Sequence, residues 1–101
     1  LWQSVNHVVD QKIPGVFVEC GVWRGGSAML IALTLISRNA KRKIMLFDTF
    51  DGMTMPSDAD TDINGYSAAA LLDGQHGEQL AELVAARVEM SSVQRALEST
   101  G

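Results

Sequence analysis

A glycine-rich corner set between two short apolar runs constrains this chain more than any other feature. Val16, Phe17 and Val18 follow the turn signal Pro14-Gly15, and Glu19 and Cys20 lead on into Gly21-Val22-Trp23-Arg24-Gly25-Gly26. A helical stretch then runs through Met29, Leu30, Ile31, Leu33, Leu35 and Ile36, and a second apolar run, Ile44 to Phe47, closes on Asp48. Uninterrupted apolar runs of this length mark strands buried on both faces of a parallel sheet. Strand, helix and strand in so short a span make a βαβ unit, with parallel strands and a right-handed crossover. Ser27 stands at the position of a helix cap. The helix is apolar nearly all round, so other elements must cover it. Arg38, Lys41, Arg42 and Lys43 collect where positive charge complements its terminal carbonyls. Cys20 is expected in the packing as a small core residue.

Around this unit the pattern is helical and loop-like. Val5, Val8 and Val9 place an amphipathic helix within Leu1 to Lys12, stopped by Pro14. From Thr49 to Tyr66 the chain reads as a long loop, acidic at Asp51, Asp58, Asp60 and Asp62 without a basic residue, and such loops are commonly functional. We expect it to act as an acidic lid. Asp60, Asp62, Asn64 and Gly65 match the first half of a calcium-binding loop, but Leu71 holds the twelfth position, where a bidentate Glu is required. Calcium is therefore not expected. Ala68 to Leu72 and Glu78 to Val88 read as helices broken at Asp73-Gly74, the second with Leu80, Leu83, Val84 and Val88 on one face. Ser92 is placed to cap a last helical segment, with Val93, Ala96 and Leu97 inward and Gly101 at its stop.

The chemistry of the corner follows from what it lacks. A strand that ends in Glu19, passes Gly21 and Gly25-Gly26 and opens a helix brings backbone close to a ligand. Trp23 replaces the second glycine of the dinucleotide fingerprint, and no Lys precedes Ser27 as a phosphate-binding loop requires. Glu19 would also repel a diphosphate. A nucleoside ligand with a positively charged tail and no phosphate fits better, and S-adenosylmethionine is such a molecule. Asp48 then lies at about the twenty-residue distance at which an acidic residue meets a ribose in doubly wound folds. An NAD-dependent oxidoreductase fragment and a non-catalytic adenosine- or nucleotide-binding module are the rival readings. Arg24 is equally suited to a carboxylate of a ligand and to a surface ion pair. Trp23 reads either as a cover over the ligand or as core. His7 and His76 have no partner that would make either a base.

The run VFVECGVWRGGSAMLIALTL, then IMLFDTFDGM and the segment from Pro56 to Asp62, resembles the macrocin and mycinamicin O-methyltransferase family. The resemblance is strong from about Ile13 to Gly65. It implies an α/β, Rossmann-like class I methyltransferase fold, of which residues 1–101 would be the N-terminal, cofactor-binding portion of a single domain. It also implies use of S-adenosylmethionine and Mg2+, and methylation of a hydroxyl of a sugar or glycosylated natural product of macrolide type. By the same resemblance Glu19, Gly21, Val22, Trp23 and Ser27 would line the amino acid end and nearby ribose of the donor. Asp48, Thr49, Phe50, Asp51, Gly52 and Met53 would form a second segment, with Asp48 on the ribose hydroxyls. Val16 departs from the family, which carries an acidic residue after Pro-Gly. Metal ligands and a general base are expected beyond residue 101.

Charge and length bound the partners. A net charge of −4 with 47% hydrophobic residues gives no field for nucleic acid or anionic membranes. The longest apolar stretch, 25–36, is shorter than the roughly 18 residues of a membrane span. A single cysteine fits a reducing, cytoplasmic setting. Two strands cannot bury both faces of such a unit, so for the chain alone exposed apolar surface and either association, as a homo-oligomer, or poor order are expected.

Overall fold

The computed structural model describes residues 1–73 and 77–101, with Leu80 and Val84 described by their backbone. The readings of Gly74 as a helix break, of His76, and of Leu80 and Val84 as inward-facing fall outside the described side chains. The elements run α1 (Trp2–Asp10), β1 (Phe17–Cys20), α2 (Gly26–Ser37), β2 (Ile44–Phe47), α3 (Ala68–Leu72), α4 (Glu78–Ala85) and α5 (Met90–Glu98). They fall into two compact units, Leu1–Thr49 with Glu89–Gly101, and Phe50–Val88.

In the first unit β1 and β2 pair in parallel, Phe17 opposite Ile44, Val18 opposite Met45, Glu19 opposite Leu46 and Cys20 opposite Phe47. Side chains alternate across a strand, so Phe17, Ile44, Glu19 and Leu46 share one face. On that face Phe17 and Ile44 pack, with Val9 and Ala40, against the buried cluster of Val5, Ile31 and Leu35. The opposite face carries Val18, Cys20, Met45 and Phe47, and Val18 and Phe47 are more than half exposed. Cys20 is thus exposed rather than packed, because the face it joins has no helix over it among the described residues.

The helices end by one device used twice. Lys12 N–H bonds Val9 O and Ile13 N–H bonds Val8 O after α1; Asn39 N–H bonds Ile36 O and Ala40 N–H bonds Leu35 O after α2. Lys12 and Asn39 sit in the left-handed region, at φ 53° and 47°, which is the Schellman arrangement. It closes α1 two residues earlier than the Lys12 of the sequence reading. The basic residues lie beyond the last turn of α2, with Arg38 at its C-cap. Arg38 also pairs with Asp10, joining the ends of α1 and α2, and Arg42 donates to the Gly15 carbonyl. The Arg38–Asp10 pair is about half exposed and adds at most about 1 kcal/mol. On α2, Ala28, Ile31, Thr34 and Leu35 are buried while Leu30, Leu33 and Ile36 remain open, so only part of its apolar circumference is covered. α5 returns to this unit with Val93 buried. It starts three residues earlier than a Ser92 cap would allow, with Glu89 at the cap position.

In the second unit α3 packs against α4. Ser67 caps α3, its Oγ accepting from the Ala70 amide at 3.2 Å. α4 stops at Ala85, short of Val88, where Ala86 turns left-handed at φ 49°. Leu83, placed on the inward face by its spacing, is 49% exposed.

Candidate functional site

The corner begins where the sheet ladder ends. Gly21 N–H still donates to Phe47 O at 2.8 Å, and the chain then leaves the sheet. Gly25 takes φ 77° and is the residue before α2, so the cap is Gly25 and not Ser27, which lies exposed in the first helical turn. A left-handed cap position favours glycine, and space demands it as well: a Cβ on Gly25 would stand 3.0 Å from Val93 Cγ1. Val22 is buried, and Trp23 holds φ 46° and is 39% exposed. Trp23 is therefore neither core nor fully open.

Asp48 ties the corner to the end of β2. One carboxylate oxygen, Oδ2, accepts the Val22 amide at 2.5 Å and the Trp23 amide at 3.1 Å. Its first task is thus the shaping of the Gly21–Trp23 turn. Two groups bordering the turn stand out. Glu19 Oε2 is buried with no hydrogen-bond partner among the described residues, an expensive condition for a carboxylate unless a ligand relieves it. Gly21 presents open space where a side chain would begin, so a ligand can approach its backbone. An open backbone and a waiting carboxylate suit a ligand with an ammonium group, which is the chemistry of S-adenosylmethionine's amino acid end. Thr49 is exposed beside Asp48.

The rest of the expected second segment belongs to the second unit. Phe50 has φ 56° and is partly buried. Asp51 is exposed, and its carbonyl accepts Arg87 Nε at 3.2 Å. Gly52 passes so close to Ala85 that a Cβ would come within 2.6 Å of its carbonyl oxygen. Met53 N–H donates to that same carbonyl at 2.9 Å, and its side chain is 69% exposed. These residues are held by the segment after α4, which the sequence reading did not foresee.

The acidic loop organises itself. Asp60 accepts the Ser57 amide at 2.7 Å and the Ser57 hydroxyl at 2.9 Å. Asp62 accepts the amides of Asn64 at 2.8 Å and Tyr66 at 2.9 Å, and Thr61 bridges Ser67. The Ser57 amide, helped by its hydroxyl, holds Asp60 below the ordinary carboxylate pKa of 3.8; the Tyr66 amide does the same for Asp62. Among the described residues no three acidic, His or Cys side chains converge on a metal site. No described helix is long and apolar enough to cross a membrane.

Known proteins resemble this chain in sequence and in fold. The chain is 37% identical over 54 residues to the 8-demethyl-8-(2,3-dimethoxy-alpha-L-rhamnosyl)-tetracenomycin-C 4'-O-methyltransferase of Streptomyces olivaceus, covering 52% of this chain and 21% of that protein. It is 36% identical over 52 residues to the demethyldecarbamoylnovobiocin O-methyltransferase of Streptomyces niveus, covering 50% of this chain and 20% of that one. The matches thus span about a fifth of the length of these curated relatives. The solved structure of the O-methyltransferase NovP superposes with a TM-score of 0.64 at 28% identity, over 97% of this chain and 37% of that one. The α/β unit accordingly has the class I methyltransferase fold, here with a two-stranded parallel sheet. With the family model for macrocin-O-methyltransferase (TylF) matching residues 1–81, the chain belongs to that family.

Proposed function

We propose that this chain supplies the methyl-donor site of an S-adenosylmethionine-dependent O-methyltransferase whose acceptor is a hydroxyl of a sugar or glycosylated natural product. The observation that carries the reading is the turn from Glu19 to Trp23, pinned by Asp48 and bordered by a buried carboxylate oxygen without a partner. In this reading Glu19 receives the donor's ammonium and the open Gly21 backbone admits its amino acid end. Asp48 acts twice, ordering the turn through Oδ2 and facing the ribose hydroxyls. The donor supplies an electrophilic methyl group, and these residues orient it; such positioning is itself a large part of the rate in a transfer between two bound molecules. The relatives named for rhamnosyl-tetracenomycin and novobiocin precursors support a glycosylated acceptor. Magnesium, implied by the resemblance, finds no cluster of ligands among the described residues, and no step is drawn through it.

Calorimetric titration with S-adenosylhomocysteine and with NAD tests the donor site: we expect the first to bind and the second not to. Binding of NAD alone would overturn the reading. Methyl transfer to a panel of glycosylated acceptors, with and without magnesium, then tests the acceptor class.

A further inference from the structure

Two oppositely charged groups border the Gly21–Trp23 turn, and they do not satisfy each other. Glu19 Oε2 is buried without a hydrogen-bond partner among the described residues. Arg24 lies over the Trp23 indole, its guanidinium carbon 5.0 Å from the ring centroid. The ion pairs among the described residues join Arg38 to Asp10 and Arg87 to Asp51, and none of the described carboxylates pairs with Arg24. That is notable in a chain with 12 acidic and 8 basic residues, where carboxylates outnumber the cations that could claim them.

The surroundings hold the backbone of this turn in place, and the exposed Arg24 side chain is steadied by the indole. Asp48 fixes the Val22 and Trp23 amides, Val22 is buried, and Gly25 abuts Val93. Trp23 keeps a left-handed φ of 46°, which costs a non-glycine residue on the order of 1 kcal/mol. The chain accepts that cost to present an indole under the guanidinium. A stacked guanidinium is pre-ordered, so it loses less freedom when it meets an anion. A ligand that satisfies both groups carries an ammonium and a carboxylate together, as an α-amino acid does.

We propose that Arg24, stacked on Trp23, binds the α-carboxylate of the methyl donor's amino acid end, opposite the ammonium assigned to Glu19. This rests on the donor-site reading above. It makes Arg24 a residue that selects the zwitterionic end of the donor, whereas a purely structural surface arginine would not distinguish ligands by that group.

The test compares S-adenosylhomocysteine with its decarboxylated analogue, which keeps the amine and loses only the carboxylate, by calorimetry on the wild-type protein and on Arg24→Met and Arg24→Lys. The wild type should prefer S-adenosylhomocysteine by about tenfold, the effect of one charge-assisted contact. Arg24→Met should reduce the preference to within about twofold by weakening S-adenosylhomocysteine and not the analogue, and urea unfolding of the variant reports that the corner is intact. Arg24→Lys should keep part of it. The proposal is overturned if Arg24→Met retains the full preference, if it weakens both ligands equally, or if the wild type shows no preference. A wild-type protein that binds neither ligand overturns the donor-site reading itself, and this assignment with it.

Discussion

Two turns in this molecule are built on the same chemistry over different distances. In the glycine-rich corner one oxygen of Asp48 accepts two successive amides, Val22 and Trp23, from a segment more than twenty residues earlier in the chain. In the acidic loop one oxygen of Asp62 accepts the amides of Asn64 and Tyr66, only two and four residues ahead. The loop can therefore close by itself, whereas the corner exists only once β1 and β2 have paired. A turn that depends on the sheet is fixed by it, which is what a ligand site requires. A locally closed turn is free to form and open without the sheet.

The largest expected effect comes from removing the long-range acceptor. Asp48→Ala leaves the amide of the buried Val22 without its charged partner; loss of such a bond costs about 2–3 kcal/mol. Urea unfolding measures it, with Asp48→Asn, which keeps an acceptor oxygen, losing less. An Asp48→Ala protein as stable as the wild type would show that the corner does not depend on β2.

A smaller effect is expected at Gly25. Alanine there must adopt φ 77° and place its Cβ 3.0 Å from Val93 Cγ1, for about 1–2 kcal/mol of destabilisation. Val93→Ala makes room, so the double variant should recover the steric share and keep the backbone share. If the two substitutions are simply additive, α5 does not support the corner.

What was legible in the sequence divides along the same line. Ile44–Phe47 and Ala68–Leu72 are found as read, because an apolar run and the turn residues that bound it are local signals. The parallel pairing followed from the strand, helix and strand order. Ser27 was misread as a cap because a hydroxyl before a helix is a local signal too, yet the left-handed Gly25 one position earlier than Gly26 takes that place. Cys20 was misread because burial of a strand end depends on what lies over its face, which β1 alone does not state. The support of Gly25 by Val93, and of Gly52 and Met53 by Ala85, joins residues far apart in sequence. Inward spacing marks Val93 as apolar and facing in, but no pattern within the chain says which turn it meets.

The smallest effect isolates the loop. Asp60 and Asp62 are held below 3.8 by hydrogen bonds, chiefly from the Ser57 and Tyr66 amides respectively. A carboxyl depressed in the folded loop contributes to its closure above the unfolded value near 3.8, and that contribution is lost as pH falls through the lower folded value. The amide resonances of Asn64 and Tyr66 should therefore shift together with a midpoint below 3.8, and Ser57 should follow Asp60 with its own midpoint below 3.8. Asp62→Asn should abolish the first transition and leave the second, because the two carboxylates serve different amides. A midpoint at or above 3.8 at Tyr66 would mean that the carboxylate does not hold the turn. Unchanged urea unfolding of Asp62→Ala, beside a destabilised Asp48→Ala, would separate the exposed turn closed by neighbouring amides from the one whose carboxylate reaches the buried Val22 amide across the chain.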